Sequence, residues 1–375
     1  MNSGVKRALV IGGGFSGMAA AIQLKRAGMD VDLVEIDAGW RSYGAGISLN
    51  GGIFRVFQTL GILEGFRAEG AAVDGVEIRG PQDQVLVTLP TPALIEGLPG
   101  NGGIMRPVLA KLLAEKVRAE GVNVRLGVSF TGIDDGADAC RVGFTDGTTA
   151  DFDLVVGADG LNSSVRRALW PEAPKPRYVG QAVWRAVIPR PSHLRTVAMW
   201  MGPKLKAGIN HVSPTQSYLF MTEDRPVNEH VPTETHVAML KALLSRFPSP
   251  TLQAVAEALD ETSQVVFRPL EQLLVPTPWY KGRVVLIGDA VHATTPHMAA
   301  GAMIGLEDAI VLAEELARST DLPAALTAFQ ERRWERCRMV VENSGRLAEI
   351  EQGHGTQEEH SKLMGMTLGM LAKPI

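Results

Sequence analysis

The chain has few cysteines, no long apolar segment and no excess of positive charge. Cys140 and Cys337 are the two cysteines among 375 residues, and they stand far apart in the sequence. This argues against a disulfide framework and favours a reducing, cytoplasmic setting. Neither cysteine has the spacing of a metal-ligand pair, so we expect no metal. The net charge is −4 and no basic run occurs, so we expect no nucleic-acid partner.

Apolar stretches are too short to suggest attachment to a membrane. None reaches the length needed to cross a bilayer. The apolar run after Lys6 and Arg7 soon ends at glycines, which is too short for a signal peptide. The methionine-rich segment 363–371 lacks the basic face that surface anchors use. We therefore expect this segment to pack on its own domain or on the partner in a homodimer.

A glycine motif near the N terminus is typical of a nucleotide-binding fold. The apolar run 8–11 predicts a buried parallel strand, and Gly12, Gly14 and Gly17 follow in a G-x-G-x-x-G pattern. The first glycine allows a tight turn, the second lets a pyrophosphate approach the backbone, and the third lets the next helix pack closely. Residues 18–26 predict that helix, whose N terminus favours a phosphate.

An acidic residue stands where this motif requires one. Residues 31–35 predict a second strand, and Glu35 lies at its end, about 20 positions after the glycines as the motif demands. A carboxylate there accepts hydrogen bonds from a ribose hydroxyl and would repel a 2′-phosphate, which disfavours an NADP adenosine at this site. A glycine-rich turn without any nucleotide is the alternative interpretation.

The pattern of apolar residues and prolines in the middle of the chain differs from that at both ends. Residues 154–156 predict an apolar strand that runs into the Gly-Ala-Asp-Gly segment 157–160, and 284–287 return to the same pattern. Short alternating runs separated by prolines fill the part between them, which indicates an inserted β-rich unit. We predict an α/β fold, with a Rossmann-like parallel sheet, an inserted β-sheet domain and C-terminal helices. The predicted divisions are 1–171 (cofactor domain), 172–275 (substrate domain) and 276–375 (return segment and helices).

The order of three separated motifs resembles that of the FAD-dependent aromatic hydroxylases, typified by p-hydroxybenzoate and salicylate hydroxylases. The resemblance covers almost the whole chain, and its most specific part is the late segment 282–308, which contains Gly-Asp-Ala. The matching segments are 12–17 with Glu35, 44–47, Arg106, 153–166 and 282–308.

The resemblance implies a bound FAD and a set of residues that hold it. Asp289 would hydrogen-bond the ribityl chain, Arg41 and Arg106 would lie near the pyrophosphate and ribityl region, and Pro296 would lie over the reactive edge of the flavin. Backbone N–H groups of 297–302 would face the N1–C2 edge, where reduced flavin carries negative charge that a helix N terminus stabilises. The implied cofactor contacts are Gly12, Gly14, Phe15, Ser16, Gly17, Glu35, Ile36, Arg41, Gly46, Ile47, Arg106, Val128, Asp159, Gly288, Asp289, Ala299, Ala300, Gly301 and Ala302.

The implied reaction is hydroxylation of a small aromatic ring. NADH or NADPH would reduce FAD as a transient donor, and O₂ would form a flavin hydroperoxide that hydroxylates a phenol, hydroxybenzoate or hydroxypyridine. A base is then expected for the substrate proton. Some relatives carry His after Gly-Ala-Gly-Ile, but this chain has Ser48. His211, Tyr218 and His297 are the replacement candidates, and a purely structural role is as well supported for each.

Two other interpretations stay open. The same fold could serve an epoxidase, reductase or halogenase, although the halogenase pattern W-x-W-x-I-P is only half met, because Ala186 replaces the second Trp. A flavoprotein that only senses redox state or binds a partner is the non-enzymatic alternative. Arg55 and Arg185 could pair with a substrate carboxylate, but the sequence does not place either of them.

Overall fold

The computed structural model describes residues 3–42 and 44–375. The strands are β1 (Arg7–Ile11), β2 (Asp30–Glu35), β3 (Gly46–Asn50), β4 (Ala71–Val73), β5 (Val76–Arg79), β6 (Val85–Leu89), β7 (Asn101–Met105), β8 (Asn123–Leu126), β9 (Phe130–Asp135), β10 (Cys140–Phe144), β11 (Thr149–Phe152), β12 (Leu154–Gly157), β13 (Arg177–Pro189), β14 (Val197–Gly202), β15 (Leu205–His211), β16 (Gln216–Asp224), β17 (Val265–Gln272), β18 (Tyr280–Lys281) and β19 (Val284–Leu286). The helices are α1 (Phe15–Arg26), α2 (Gly52–Leu60), α3 (Leu63–Glu69), α4 (Arg106–Ala119), α5 (Ser164–Leu169), α6 (His236–Leu244), α7 (Pro250–Ala258), α8 (Asp289–His292), α9 (Gly301–Arg318), α10 (Leu322–Glu351) and α11 (Gln357–Leu371).

A six-stranded sheet carries the glycine motif. Its order is β18-β19-β12-β1-β2-β8, and every pair except β18–β19 is parallel. The strands β1, β12 and β19 are almost wholly buried, as their continuous apolar sequences predict. Ile11 pairs with both Val34 and Gly157, so the glycine loop, Glu35 and the Gly-Ala-Asp-Gly segment meet at one edge of the sheet.

A seven-stranded sheet forms the other half of the molecule, in the order β17-β13-β16-β15-β14-β5-β6. Its back face packs against α6 and α7 through a core that includes Trp184, Leu219 and Leu240. The alternate residues of the same strands form the front face. Two strands of this sheet, β5 and β6, lie outside the segment 172–275. They join the sheet because β5 pairs in parallel with β14. The predicted domain divisions stay a prediction, but this sheet is not built from that segment alone.

A small sheet, β3-β7-β4, joins the two halves. A Cβ at Gly103 would lie 2.4 Å from the carbonyl oxygen of His211, so β7 contacts β15 backbone to backbone. The predicted fold class is confirmed: a mainly parallel α/β sheet, a mainly antiparallel sheet and C-terminal helices. Segment 363–371 lies in α11, which packs on its own chain, since Asn343 Nδ2 donates to Thr367 Oγ1 at 2.8 Å. Among the described residues, no helix is both long and apolar enough to cross a membrane.

Candidate cofactor site and active site

The glycine loop is shaped by two close backbone contacts and one open position. Gly12 has φ 109°, and a Cβ there would lie 2.5 Å from the carbonyl oxygen of Ala158. A Cβ at Gly17 would lie 1.9 Å from the carbonyl oxygen of Gly12. Gly14, which precedes α1, has extended backbone and nothing within 4 Å of an added Cβ. Packing therefore requires Gly12 and Gly17, whereas Gly14 leaves space at the N terminus of α1 for a phosphate.

Glu35 holds the glycine loop in place. Its Oε2 accepts the backbone N–H of Gly13 at 2.6 Å, and its Oε1 accepts that of Asp37 at 2.8 Å. Ile36 follows with 74% of its surface exposed, which leaves apolar surface beside the carboxylate for an adenine. A cavity of about 250 Å³ opens next to this loop. It is lined by Gly13, Gly14, Phe15, Met18, Glu35, Trp40, Arg41, Ser42, Arg106 and Ala110.

The first and last motifs are in direct contact. Gly288 has φ 60°, and a Cβ there would lie 2.4 Å from Oγ of Ser16. A Cβ at Gly305 in α9 would lie at the same distance from this hydroxyl. The three predicted segments therefore assemble at one place, since the Gly-Ala-Asp-Gly segment also contacts Gly12.

Arg106 and Asp289 face the cleft without a protein partner for their charged groups. Arg106 begins α4, and its guanidinium makes no hydrogen bond or ion pair with any residue that the structure describes. The Asp289 carboxyl likewise accepts no hydrogen bond within 3–42 and 44–375. Burial lowers the pKa of Arg106, and Arg185 nearby lowers it further. The Asp289 carboxyl faces open space, yet the surrounding protein limits its solvation and raises its pKa, against the opposing charges of His292 and Arg106.

The loop before α9 has the geometry that the small residues predict. Pro296–Met298 form a 3₁₀ turn, and Ala299 takes left-handed backbone with φ 48°. Nδ2 of Asn50 donates to the carbonyl oxygen of Ala299 at 3.2 Å. Helix α9 then starts at Gly301 without a side-chain cap, so its first N–H groups remain available to an anion.

His297 does not face this cleft, which corrects its candidacy as the catalytic base. Its side chain is 1% exposed. Nδ1 lies 2.9 Å from Oγ1 of Thr295, and Nε2 lies 3.3 Å from Oε2 of Glu351 at the end of α10. Burial lowers the pKa of His297. A ring enclosed in this way by protein cannot take a proton from a bound substrate.

The prediction of His211 as a candidate base is also corrected, because its side chain lies on the back of the seven-stranded sheet. It pairs with Ser217, and its ring contacts Oγ of Ser217 at 2.8 Å and the carbonyl oxygen of Leu194 at 3.1 Å. Both ring nitrogens thus have protein partners. Burial lowers the pKa of His211 to about 4. The side chain is fully buried, so its role is structural.

Tyr218 lies on the opposite, front face and meets an arginine there. Nε of Arg185 donates to the Tyr218 hydroxyl at 2.9 Å. Arg106 lies close enough for both side chains to affect its charge. A Cβ at Gly46 would lie 2.7 Å from Cβ of Tyr218, so Gly46 is required by this contact. The structure therefore brings together Arg185, Tyr218 and Arg106 from three elements. Arg55, the other arginine considered for a carboxylate, donates instead to the carbonyl oxygen of Ala372.

Residues 6–344 match the family described as FAD binding domain. The chain belongs to this family of FAD-binding monooxygenases. It is 34% identical to aurachin C monooxygenase/isomerase of Stigmatella aurantiaca over 92% of this chain and 89% of that protein. It is 33% identical to 2-heptyl-3-hydroxy-4(1H)-quinolone synthase of Pseudomonas aeruginosa over 92% and 90% of the two chains. The structure of Klebsiella pneumoniae HpxO complexed with FAD and uric acid superimposes with a TM-score of 0.81 at 26% identity, covering 99% and 93% of the two chains.

The resemblance to flavoprotein hydroxylases is thus confirmed, and the protein is an FAD-dependent monooxygenase. Its cleft fits that cofactor by physical criteria. An open helix N terminus at Gly14, a carboxylate at Glu35 and two charged groups without protein partners suit a dinucleotide with phosphates and hydroxyls.

Some predicted contacts have a protein partner or stay untested. In the monooxygenase, the Asp159 carboxylate caps α5 and accepts from Oγ of Ser163 at 2.5 Å and from the N–H of Ser164 at 2.6 Å. The Val128 N–H donates to the carbonyl oxygen of Glu35 at 3.1 Å. Their contacts with nucleotide stay predictions. The same holds for Pro296 and for the other predicted cofactor contacts, which are Gly12, Gly14, Phe15, Ser16, Gly17, Glu35, Ile36, Arg41, Gly46, Ile47, Arg106, Gly288, Asp289, Ala299, Ala300, Gly301 and Ala302.

A buried charge network beneath the cleft of the monooxygenase was missed by sequence reasoning. Asp308 in α9 accepts the N–H of Gly288 at 2.9 Å and pairs with His292 and with Arg333 of α10. Burial alone would lower the pKa of His292, but Asp308 raises it well above the usual range. His292, Asp308 and Cys337 lie close enough to suggest a metal. Arg333 already supplies the cation, since it bonds Asp308 at 2.7 Å and lies 3.4 Å from the sulfur.

Proposed function

We propose that this monooxygenase hydroxylates an electron-rich aromatic or heteroaromatic ring, with NADH or NADPH as a transient donor. In the balanced reaction, the ring C–H, O₂, NAD(P)H and a proton give the ring C–OH, NAD(P)⁺ and water. When bound, FAD carries the electrons from the donor to O₂ and delivers one oxygen atom. The names of relatives describe quinolone, urate and 6-hydroxynicotinate chemistry, which supports a nitrogen heterocycle or phenol as substrate.

The observation that carries this proposal is the contact between Arg185 and Tyr218. Arg185 already donates to the Tyr218 oxygen, which leaves the phenolic proton free to serve as a donor to a ring oxygen. Two guanidinium groups, those of Arg185 and Arg106, place positive charge around this hydroxyl. Positive charge stabilises a ring that has lost its O–H or N–H proton. A ring that binds as its anion would accept the Oη–H of Tyr218, and the arginines would orient that anion.

The walls around this pair are apolar. Ala45, Val212 and Tyr218 form a small buried cluster, against which Met105, Val187 and Phe220 pack. The Tyr218 and Phe220 rings lie 5.6 Å apart between centroids. Apolar walls exclude water, which would otherwise divert oxygen into peroxide. The chain therefore supplies both a charged anchor and a dry surface for a flat ring.

The position of Trp184 does not support the halogenase alternative. Trp184 is fully buried on the back of the sheet, where its Nε1 donates to Oε1 of Glu223 at 2.9 Å. Ala186 lies in the same core. The half-matched pattern is thus accounted for by packing against α6 and α7.

The test is oxidation of NADH and of NADPH by the purified, FAD-loaded protein, with phenols, hydroxybenzoates, hydroxypyridines and quinolones. Stimulation by one ring class, with a product one oxygen heavier by mass spectrometry, is the expected result. Tyr218→Phe should then lower the rate of hydroxylation by about 10²–10³-fold, as loss of one donor to an oxyanion does. Tyr280→Phe is the matched control, because Tyr280 lies on β18, the edge strand of the six-stranded sheet, where it bonds Thr327. If no ring stimulates donor oxidation although FAD is bound, the hydroxylase proposal fails and an epoxidase or reductase takes its place.

A further inference from the structure

Glu351, the last residue of α10, is the centre of a buried polar cluster outside the site described so far. Its side chain is 7% exposed. Oε1 lies 2.5 Å from Nζ of Lys206 and 3.7 Å from Nε2 of His360. Oε2 lies 3.3 Å from Nε2 of His297 and 3.5 Å from Oγ1 of Thr222. We call these five residues the Glu351 cluster.

Each member of the cluster belongs to a different element. Lys206 and Thr222 are paired residues on β15 and β16, and His297 lies in the 3₁₀ turn before α9. Tyr218 and Phe220 alternate with Thr222 along β16, so they share its face of the sheet. One carboxylate thus connects the cofactor loop with the strand that carries Tyr218. The neighbouring Gln352 adds a second tie, since its Nε2 donates to the carbonyl oxygen of Val179 at 3.0 Å.

The charges in the cluster favour contacts that hold its elements in one arrangement. Burial alone would raise the pKa of Glu351, but the Lys206 ammonium holds it well below the usual range. Burial lowers the pKa of His297, so its ring is neutral at neutral pH. Nε2 of His297 lies 3.3 Å from Oε2 of Glu351 without hydrogen-bond geometry, so the two groups make a close polar contact, while Nδ1 bonds the hydroxyl of Thr295. The carboxylate is then paired with one cation and with polar donors, which a buried charge requires.

We propose that Glu351 is a positioning residue for the reaction, which fixes the loop 296–300 relative to the sheet that carries Arg185 and Tyr218. The proposal rests on the proposed function. Asn50 holds this loop at the carbonyl oxygen of Ala299, and Glu351 holds it at the side chain of His297. Release of the second tie would let the loop move away from the substrate side. Water would then reach the reacting edge, and more of the oxygen would leave as hydrogen peroxide.

Four variants isolate this role. Glu351→Gln removes the charge and keeps the shape, and Glu351→Asp keeps the charge on a shorter side chain. The double variant Lys206→Met with Glu351→Gln removes both members of the pair, so that no buried charge is left alone if the single variant folds poorly. Glu349→Gln is the matched control, because Glu349 lies two residues before Glu351 on the same helix. Its side chain is half exposed and pairs with Arg346.

Two measurements decide the outcome. The first is hydrogen–deuterium exchange of residues 294–300, with and without FAD, which needs no substrate. The second is the share of oxidised NAD(P)H that appears as peroxide during turnover with the ring substrate. We expect faster exchange in Glu351→Gln and in the double variant, and a peroxide share raised about threefold. Glu351→Asp should recover part of both effects, and Glu349→Gln should match the wild type.

Other results overturn the inference. Wild-type exchange in Glu351→Gln would show that the loop does not depend on this carboxylate. Faster exchange with an unchanged peroxide share would show that the tie is structural only. If the wild type hydroxylates no ring at all, the proposed function fails, and the exchange measurement still decides whether Glu351 holds the loop.

Discussion

Asp308 and His292 form a buried pair, with Oδ2 of the carboxylate 2.6 Å from Nε2 of the ring. The same oxygen accepts the N–H of Gly288, the residue before Asp289. The turn that presents Asp289 to the cleft therefore depends on a charge in α9. Arg333 neutralises the other carboxylate oxygen from α10.

Asp308→Asn should destabilise the protein and disturb the cofactor site together. Loss of this charge leaves the His292 ring buried without its carboxylate and leaves Arg333 with Glu307 as its carboxylate partner, which costs about 3–5 kcal/mol of unfolding free energy. Urea unfolding of the FAD-free protein measures this loss, and FAD titration measures the second effect. Glu342→Gln, a half-exposed carboxylate paired with Arg338 on α10, should change neither. Equal stability of Asp308→Asn and the wild type would contradict the role assigned to the network.

Alanine at two glycines of the first motif should separate folding from cofactor binding. Gly17→Ala places a Cβ against the carbonyl oxygen of Gly12, so we expect a loss of about 1–3 kcal/mol in the FAD-free protein. Gly14→Ala meets no protein atom and should leave that stability unchanged. Its Cβ would intrude where phosphate binds, and FAD affinity should fall about tenfold. Full FAD affinity in Gly14→Ala would place the pyrophosphate elsewhere.

Glu35→Arg should weaken FAD binding by removing the acceptor for a ribose hydroxyl. The variant also loses the two hydrogen bonds that the backbone N–H groups of Gly13 and Asp37 donate to Glu35. A hydrogen bond to a charged group contributes about 1.5–3 kcal/mol, so affinity should fall about tenfold or more. Glu35→Gln keeps the shape and should show a smaller loss. Fluorescence titration with FAD measures all three proteins, and wild-type affinity in Glu35→Arg would remove Glu35 from the adenosine site.

Asp289→Ala should lower FAD occupancy without harming the protein itself. Because the carboxyl has no hydrogen-bond donor among the described residues and the surrounding protein raises its pKa by limiting its solvation, the FAD-free protein gains nothing from it. We expect an unchanged or higher melting temperature together with reduced flavin content after purification. Unchanged flavin content and turnover would show that this carboxyl does not face the cofactor.

His211 should contribute to acid sensitivity and not to catalysis. Its folded pKa, about 4, lies below the model-peptide value of 6.5, so the unfolded chain binds the proton more readily. Stability is therefore complete above pH 6.5 and is lost as the pH falls toward 4, by up to about 3 kcal/mol. His211→Gln should remove this part of the pH dependence, and the exposed His230→Gln should not. A loss of turnover in His211→Gln at pH 8 without a loss of stability would restore it as a catalytic candidate.

The sequence predicted the elements of the fold well because each signal is local. The glycines after β1, the acid after β2 and the small residues before α9 all depend on neighbours in the chain. The choice among three candidate bases needed strand register, which is not local. His211 pairs with Ser217, and Tyr218 is the next residue, so the two candidates point to opposite faces. Alternation of Leu219 and Met221 in the back core with Tyr218 and Phe220 in front was the available signal.

Other features joined residues too distant for any sequence pattern to connect. Asp308 and Arg333 lie on two packed helices, and Glu351 meets Lys206 across the two halves of the molecule. The pairing of Val76 with Val197 is equally remote. These contacts follow from how whole elements pack, and single-chain periodicity carries no information on that packing.

The pairing of β5 with β14 has a consequence for engineering. A chimera that receives only the segment 172–275 from a relative would graft five strands and leave the native β5–β6 hairpin facing a foreign edge. Mismatch there would expose the N–H and C=O groups of β14, and unpaired strand edges of this kind promote aggregation. Exchange of the whole seven-stranded sheet between relatives therefore calls for two grafts made together, residues 76–89 and 172–275.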